Sequence, residues 1–167
     1  MKSYFEPTGR LIMSIGKDLI KDLPAAIVEL VKNSYDADAS YVKITYLKNE
    51  NELKIVVEDD GHGMSQDTVL NAWMVPSTDY KLKKKNSPKG RVYQGRKGIG
   101  RYAVSLLGNK LELITIKDGI KTMAHFDWDE FNSEKKLSEI PIVITTSETT
   151  DDSGTKLIIT NEYGNVL

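Results

Sequence analysis

The chain has 167 residues, 40% hydrophobic and 28% charged, with a net charge of -1 and no cysteine. Such a length and balance fit one soluble domain able to build a core. They give no global basic field for nucleic acid or an anionic membrane, and they exclude disulfides and thiolate metal sites. No run approaches the roughly 20 apolar residues of a membrane-spanning helix. The N-terminus has no sustained apolar core after Lys2, so no signal peptide is expected and the default location is cytoplasmic.

In chain order, apolar residues at helical spacing over 10–23 predict a helix interrupted near Gly16. Pro24 suits the first turn of a second helix, capped by Asp22 and running to about Asp38. Residues 41–48 and 52–59 alternate as strands and form a hairpin. Residues 60–65 are a glycine-containing loop, and Ser65 caps a helix over 67–74. Residues 76–94 read as a long loop with a lysine run: Lys81, Lys83, Lys84, Lys85, Lys89 and Arg91. A connection of that length is usually a lid, a binding loop or disorder. The glycines of residues 95–100 lead into an apolar helix stopped by Gly108. A second hairpin follows at 110–128, a short helix at 130–139, and two strands around the polar loop 147–153. With at least six strands and three or four helices, the expected architecture is α+β. It is a two-layer sandwich with a mixed, mostly antiparallel sheet and helices on one face.

Three stretches invite a chemical reading. Within residues 29–39 (ELVKNSYDADA), Glu29, Asn33 and Asp36 share a narrow arc of a helix, opposite Ile27, Leu30, Val31 and Ser34. Asp36 and Asp38 stand near the helix end, where the macrodipole disfavours negative charge. A solvated helix face is the plain alternative. Asp38 points away from Asp36 if the helix continues, and is left out of the site. The second stretch, GRKGIG (residues 95–100), lets backbone N–H groups approach an anion at a helix N-terminus, with Lys97 adding a full charge. It matches neither the P-loop nor the dinucleotide fingerprint. The third, DDGHGM (residues 59–64), puts a carboxylate on a glycine turn at a strand end, where it can accept from an exocyclic amine. His62 reads as loop surface and His125 as a packed strand residue, and neither is given a role.

The order of these stretches, closed by the late Gly154–Thr155, resembles the GHKL superfamily of ATPases. That superfamily includes gyrase-type topoisomerases, heat-shock chaperones of the ninety-kilodalton class, histidine kinases and mismatch-repair proteins. The likeness runs from about residue 23 to 161 and implies the Bergerat ATP-binding fold. It implies Asn33 as the Mg²⁺ ligand and Asp60 as the acceptor of the adenine amine. Gly61, Gly63 and Met64 would pack the base. Gly95, Lys97, Gly98, Ile99 and Gly100 would surround the phosphates. Thr155 would lie near the adenine, Asp36 on the nucleotide side of the helix, and residues 77–94 where the family keeps its lid. Glu29, one turn before Asn33, matches the general base of the hydrolytic branch, which histidine kinases usually lack. The residues around the motifs are most similar to bacterial chaperone-like and MORC-like ATPases.

The expectation is a single ATP-binding domain over residues 1–167. It would be the N-terminal part of a longer, homodimerising ATPase whose transducer domain supplies a lysine, so that turnover alone would be slow. Expected ligands are ATP or ADP with Mg²⁺, and no membrane partner is expected. Alternatives are a histidine-kinase-type catalytic domain, a non-catalytic nucleotide-switched module, and nucleic-acid contact by the lysine loop in place of a solvated lid.

Overall fold

Alternating apolar residues drive six segments into strands. They are β1 (Val42–Lys48), β2 (Leu53–Asp59), β3 (Lys110–Lys117), β4 (Ile120–Asp127), β5 (Val143–Glu148) and β6 (Gly154–Asn161). The computed structural model describes residue 4 and residues 6–74, 85–95 and 100–163. Within them the strands form one sheet in the order β1-β2-β6-β3-β4-β5, and all five neighbouring pairs are antiparallel. The last strand therefore enters the middle of the sheet. Its first residues, Gly154 and Thr155, come to lie between the end of β2 and the end of β3, with Thr155 paired to both Asp59 and Thr115.

One face of the sheet is buried. Leu53, Ile55 and Val57 on β2, Leu111 and Leu113 on β3, Ala124 and Phe126 on β4, and Ile159 on β6 supply it. The helices cover this face: α1 (Arg10–Leu19), α2 (Leu23–Asp36) and α4 (Val104–Leu107), the last preceded by a 3-10 turn over Gly100–Ala103. This is the expected α+β two-layer sandwich. Among the described residues, no helix is long and apolar enough to cross a membrane.

Several element boundaries differ from expectation, each for a local reason. Gly16 does not interrupt α1. A Cβ there would lie 2.9 Å from Ser105 Oγ and 3.0 Å from Tyr102 O, so a residue without one lets α1 lie against the turn before α4. The helix expected over 67–74 starts as α3 (Gln66–Thr68), with Thr68 N donating to Ser65 Oγ at 3.2 Å, and widens into a π-type turn over Val69–Trp73. The helix expected over 130–139 is instead α5 (Trp128–Phe131) and a separate turn, Leu137–Glu139. Trp128 stacks on Phe126 with ring centres 5.5 Å apart, and Phe131 tilts against it at 5.1 Å. Burying those rings starts a helix directly after β4. Asp127 caps it by accepting from Asp129 N at 3.0 Å.

Leu30 is 2% exposed at the centre of α2, whereas Val28, two residues earlier, is 50% exposed. Leu30→Ala is expected to lower unfolding free energy by about 2–5 kcal/mol, and Val28→Ala to stay within about 0.5 kcal/mol of the parent. Denaturant unfolding of the two variants checks this.

Candidate functional site

The site is built from α2 and from three strand ends. The helix opens with Asp22 accepting from Ala25 N at 2.9 Å and with Pro24 in the first turn. Its apolar side buries Ala26 and Leu30 against the sheet. The opposite side carries Glu29 and Asn33, both half-buried, and Asp36, which is buried. The helix ends at Asp36, earlier than expected, and Asp38 adopts a left-handed backbone with φ 62°. That reversal, tolerated by Asp, gives Asp38 a direction that a continuing helix would not.

Both late carboxylates are fully engaged. Asp36 accepts from Gln94 N at 2.8 Å and from Gly95 N at 3.0 Å. Asp38 accepts from Ser87 Oγ at 2.5 Å and Lys89 N at 3.0 Å, and Arg91 Nε lies 4.0 Å away. Burial pushes the Asp38 carboxyl up. The Ser87 hydroxyl, the Lys89 N–H and the charges of His62 and Arg91 more than offset this and hold it below its usual value. Arg91 also donates to the carbonyls of Tyr35 and Ala39 and lies 4.8 Å over the Tyr35 ring. The C-terminal part of the long connection is therefore docked on the end of α2, and Lys89 and Arg91 take part in that docking. Lys81, Lys83 and Lys84 lie outside the described residues.

The glycine segment meets α2 at both ends. Gly95 is held by Asp36, and Gly100 packs against Glu29, whose Oε2 lies 2.5 Å from where a Cβ would stand. Glu29 and Asp36 are seven residues apart on the helix, about 10 Å along its axis. Lys97, Gly98 and Ile99 lie outside the described residues. Glu29 Oε1 accepts from Lys32 Nζ at 2.7 Å.

At the sheet end the structure separates two adjacent carboxylates. The inward alternation Leu53, Ile55, Val57 continues to Asp59. That carboxylate accepts from Ser34 Oγ at 2.7 Å and Gly61 N at 2.9 Å. Burial raises its pKa, hydrogen bonds from Ser34, Gly61 and Thr155 hold it back, and the neighbouring Asp60 charge adds to the rise. Asp60 points elsewhere. It accepts from Ser40 N at 2.7 Å, from Tyr41 N at 3.0 Å and from Ser40 Oγ, which hold its carboxyl below its usual value, the Ser40 hydroxyl most strongly. Asp60 fixes the entry to β1, and of the two adjacent carboxylates it is Asp59 that turns to Ser34 and the glycine turn. The reason is the two-residue period of a strand, which turns successive side chains to opposite faces.

The turn after Asp59 is tightly packed. Gly63 has φ 62°, and a Cβ there would fall 1.9 Å from Ile116 O, so no other residue fits. Met64 N donates to Thr115 Oγ1 at 2.8 Å, and that hydroxyl lies 3.1 Å from Thr155 Oγ1. Gly61, Gly63, Met64 and Thr155 thus meet beside Asp59. Ser34, Asp59 and Thr115 were missed. Strand parity pointed to Asp59, and Ser34 was visible only as a core-facing helix position. Nothing local marks Thr115, which reaches the site through the register of β6.

A polar helix stripe beside both ends of a glycine segment, joined to a half-buried carboxylate on a strand-end glycine turn, is an arrangement for a nucleotide. Comparison with known proteins agrees. The family described as histidine kinase-, DNA gyrase B- and HSP90-like ATPases matches residues 21–155, and the chain belongs to that family, the GHKL superfamily. It is 38% identical over 99 residues to the ATPase morc-1 of Caenorhabditis elegans. It is 33% identical over 104 residues to the chaperone protein HtpG of Oceanobacillus iheyensis. Over 106 residues it is 31% identical to a putative type II restriction enzyme, HgiDII, of Herpetosiphon aurantiacus. These matches take in 59%, 60% and 64% of the chain, but only 11%, 16% and 17% of the relatives' own lengths. Membership supports an ATP-binding and hydrolysis module.

The docking of residues 85–95 depends on Asp38. Asp38→Ala leaves the Ser87 hydroxyl and the Lys89 N–H without their acceptor, a cost of about 1–3 kcal/mol. The amides of 87–91 are expected to exchange hydrogen faster while those of Leu30 and its neighbours do not. Because the folded carboxyl lies below its ordinary value of 3.8, its contribution is present above that value and is lost as pH falls through the folded one. The variant should therefore show a flatter loss of stability in acid, measured by melting at stepped pH.

Proposed function

We propose that this chain is the Mg²⁺-dependent ATP-binding and hydrolysis module of a longer, dimerising, cytoplasmic ATPase. The observation that carries the reading is the single stripe of Glu29, Asn33 and Asp36. It faces the two ends of the glycine segment and stands across α2 from the Ser34–Asp59 hydrogen bond. Membership of an ATPase family and likeness to an ATPase and a chaperone support it. The relatives' greater length supports a role as one module of a larger protein.

Each residue then has a part. Asp59 accepts the exocyclic amine of adenine, steadied by Ser34 and Gly61. Gly61, Gly63 and Met64 pack the base, and Thr155 with Thr115 closes its edge. Gly95, Lys97, Gly98, Ile99 and Gly100 surround the phosphates. The Asn33 side chain makes no hydrogen bond among the described residues, and no cluster of three acidic or histidine residues stands there to cage an ion. That donor set fits Mg²⁺, which favours one or two protein oxygens completed by phosphate oxygens and water. Asn33 would hold it, and when bound it would neutralise phosphate charge. Glu29 takes a proton from the attacking water as the water oxygen bonds to the γ-phosphorus. The bond from that phosphorus to the β–γ bridging oxygen breaks, and its electron pair leaves with ADP.

Calorimetric titration with Mg²⁺–ATP and a phosphate-release assay test this on the full protein. Glu29→Gln should bind ATP within a few-fold of the parent and lose about 10²–10⁴-fold in turnover. Asp59→Asn should weaken adenine-nucleotide binding by about 10–100-fold, and Asp60→Asn should leave it within about twofold. A parent protein that binds no adenine nucleotide, or a Glu29→Gln variant with full turnover, would sink the reading.

A further inference from the structure

Lys32 has no part in the chemistry above, yet it pairs with Glu29, which has. At about 100° per residue it lies on the flank of the stripe, so Glu29, Lys32, Asn33 and Asp36 form an i, i+3, i+4, i+7 set. Its Nζ lies 2.7 Å from Glu29 Oε1, and the side chains are 39% and 29% exposed. A helix-surface pair of this spacing contributes only a few tenths of a kcal/mol, so it does little for the fold. Its position sets it apart from an ordinary surface pair. The same carboxylate places Oε2 against Gly100, where the glycine segment ends, while Asp36 holds Gly95, where it begins. Lys32 thus stands on α2 between the two residues that meet the ends of that segment, and Glu29 is its partner among the described residues.

A carboxylate held by an ammonium is a poorer acceptor for the proton of water, because the cation stabilises the charge that proton transfer removes. The terminal phosphate of ATP is a denser anion than a carboxylate, and a lysine on its flexible stem reaches such a charge readily. We propose that Lys32 is a substrate-operated latch on Glu29. Without a γ-phosphate its ammonium pairs with Glu29. With ATP bound it transfers to the γ-phosphate, frees the carboxylate to take the proton, and makes the site tell ATP from ADP. The inference rests on the site being an ATP site with Glu29 as its base.

The test compares binding of ADP and of a non-hydrolysable ATP analogue, each with Mg²⁺, by the parent protein and by Lys32→Ala, Lys32→Gln and Lys32→Arg. Lys32 is part-exposed, and circular dichroism confirms folding of each variant. Lys32→Ala and Lys32→Gln should weaken the analogue by about tenfold and change ADP by less than about twofold, with Lys32→Arg restoring the preference. In turnover, KM for ATP should rise with the same order. Equal effects on both nucleotides, or none, overturn the latch. A parent protein that binds neither nucleotide overturns the ATP-site reading itself, so the two failures are distinguishable.

Discussion

Two buried carboxylates at the C-terminal end of α2 set the terms for this half of the molecule. Asp36 is 3% exposed and Asp38 is 4% exposed, at the end of a helix whose dipole repels negative charge. An unpaired ion in such a place costs several kcal/mol, so the surrounding chain must supply donors. It does so with backbone N–H groups of Lys89, Gln94 and Gly95 and with the Ser87 hydroxyl. A connection that composition alone marks as a loose basic loop is thereby fixed, over residues 85–95, to the helix that carries the polar stripe. Serving the carboxylates and placing the first glycine of the segment are one event.

The architecture was legible in the sequence because each strand alternates and α2 has one apolar side, and both signals are local. The order of the strands was not. β6 lies between β2 and β3, and no short stretch of sequence states that long-range choice. It decides that Thr155 stands beside Asp59 and that Thr115 joins them. The glycines of the strand-end turn were legible because Gly63 is the one residue that fits φ 62° against Ile116 O. Which acid stands beside them was not legible from adjacency alone. Asp60 adjoins the first glycine of the turn, but the period of β2 carries Leu53, Ile55, Val57 and Asp59 to one face and turns Asp60 to Ser40 and Tyr41. Asp38 was set aside on the assumption that the helix continues, whereas the chain reverses there.

The arrangement divides its positioning between two rigid parts. On the proposed reading, the groups beside adenine come from strand ends: Asp59 from β2, Thr115 from β3 and Thr155 from β6. On the same reading the groups beside the phosphates come from one helix, which carries Glu29, Lys32 and Asn33 and meets the glycine segment at both ends. Ser34 joins the two parts by donating to Asp59. A reaction that gains its rate from placing a water, a base and a phosphate at fixed distances needs the groups near the phosphate to move as one body. A single helix supplies that more directly than a set of loops. The cation within that body is Lys32, already paired with the carboxylate assigned as base. Under the proposed latch, the arrival of a charged substrate would act on Glu29 through a contact already present in the fold, without any rearrangement of the sheet.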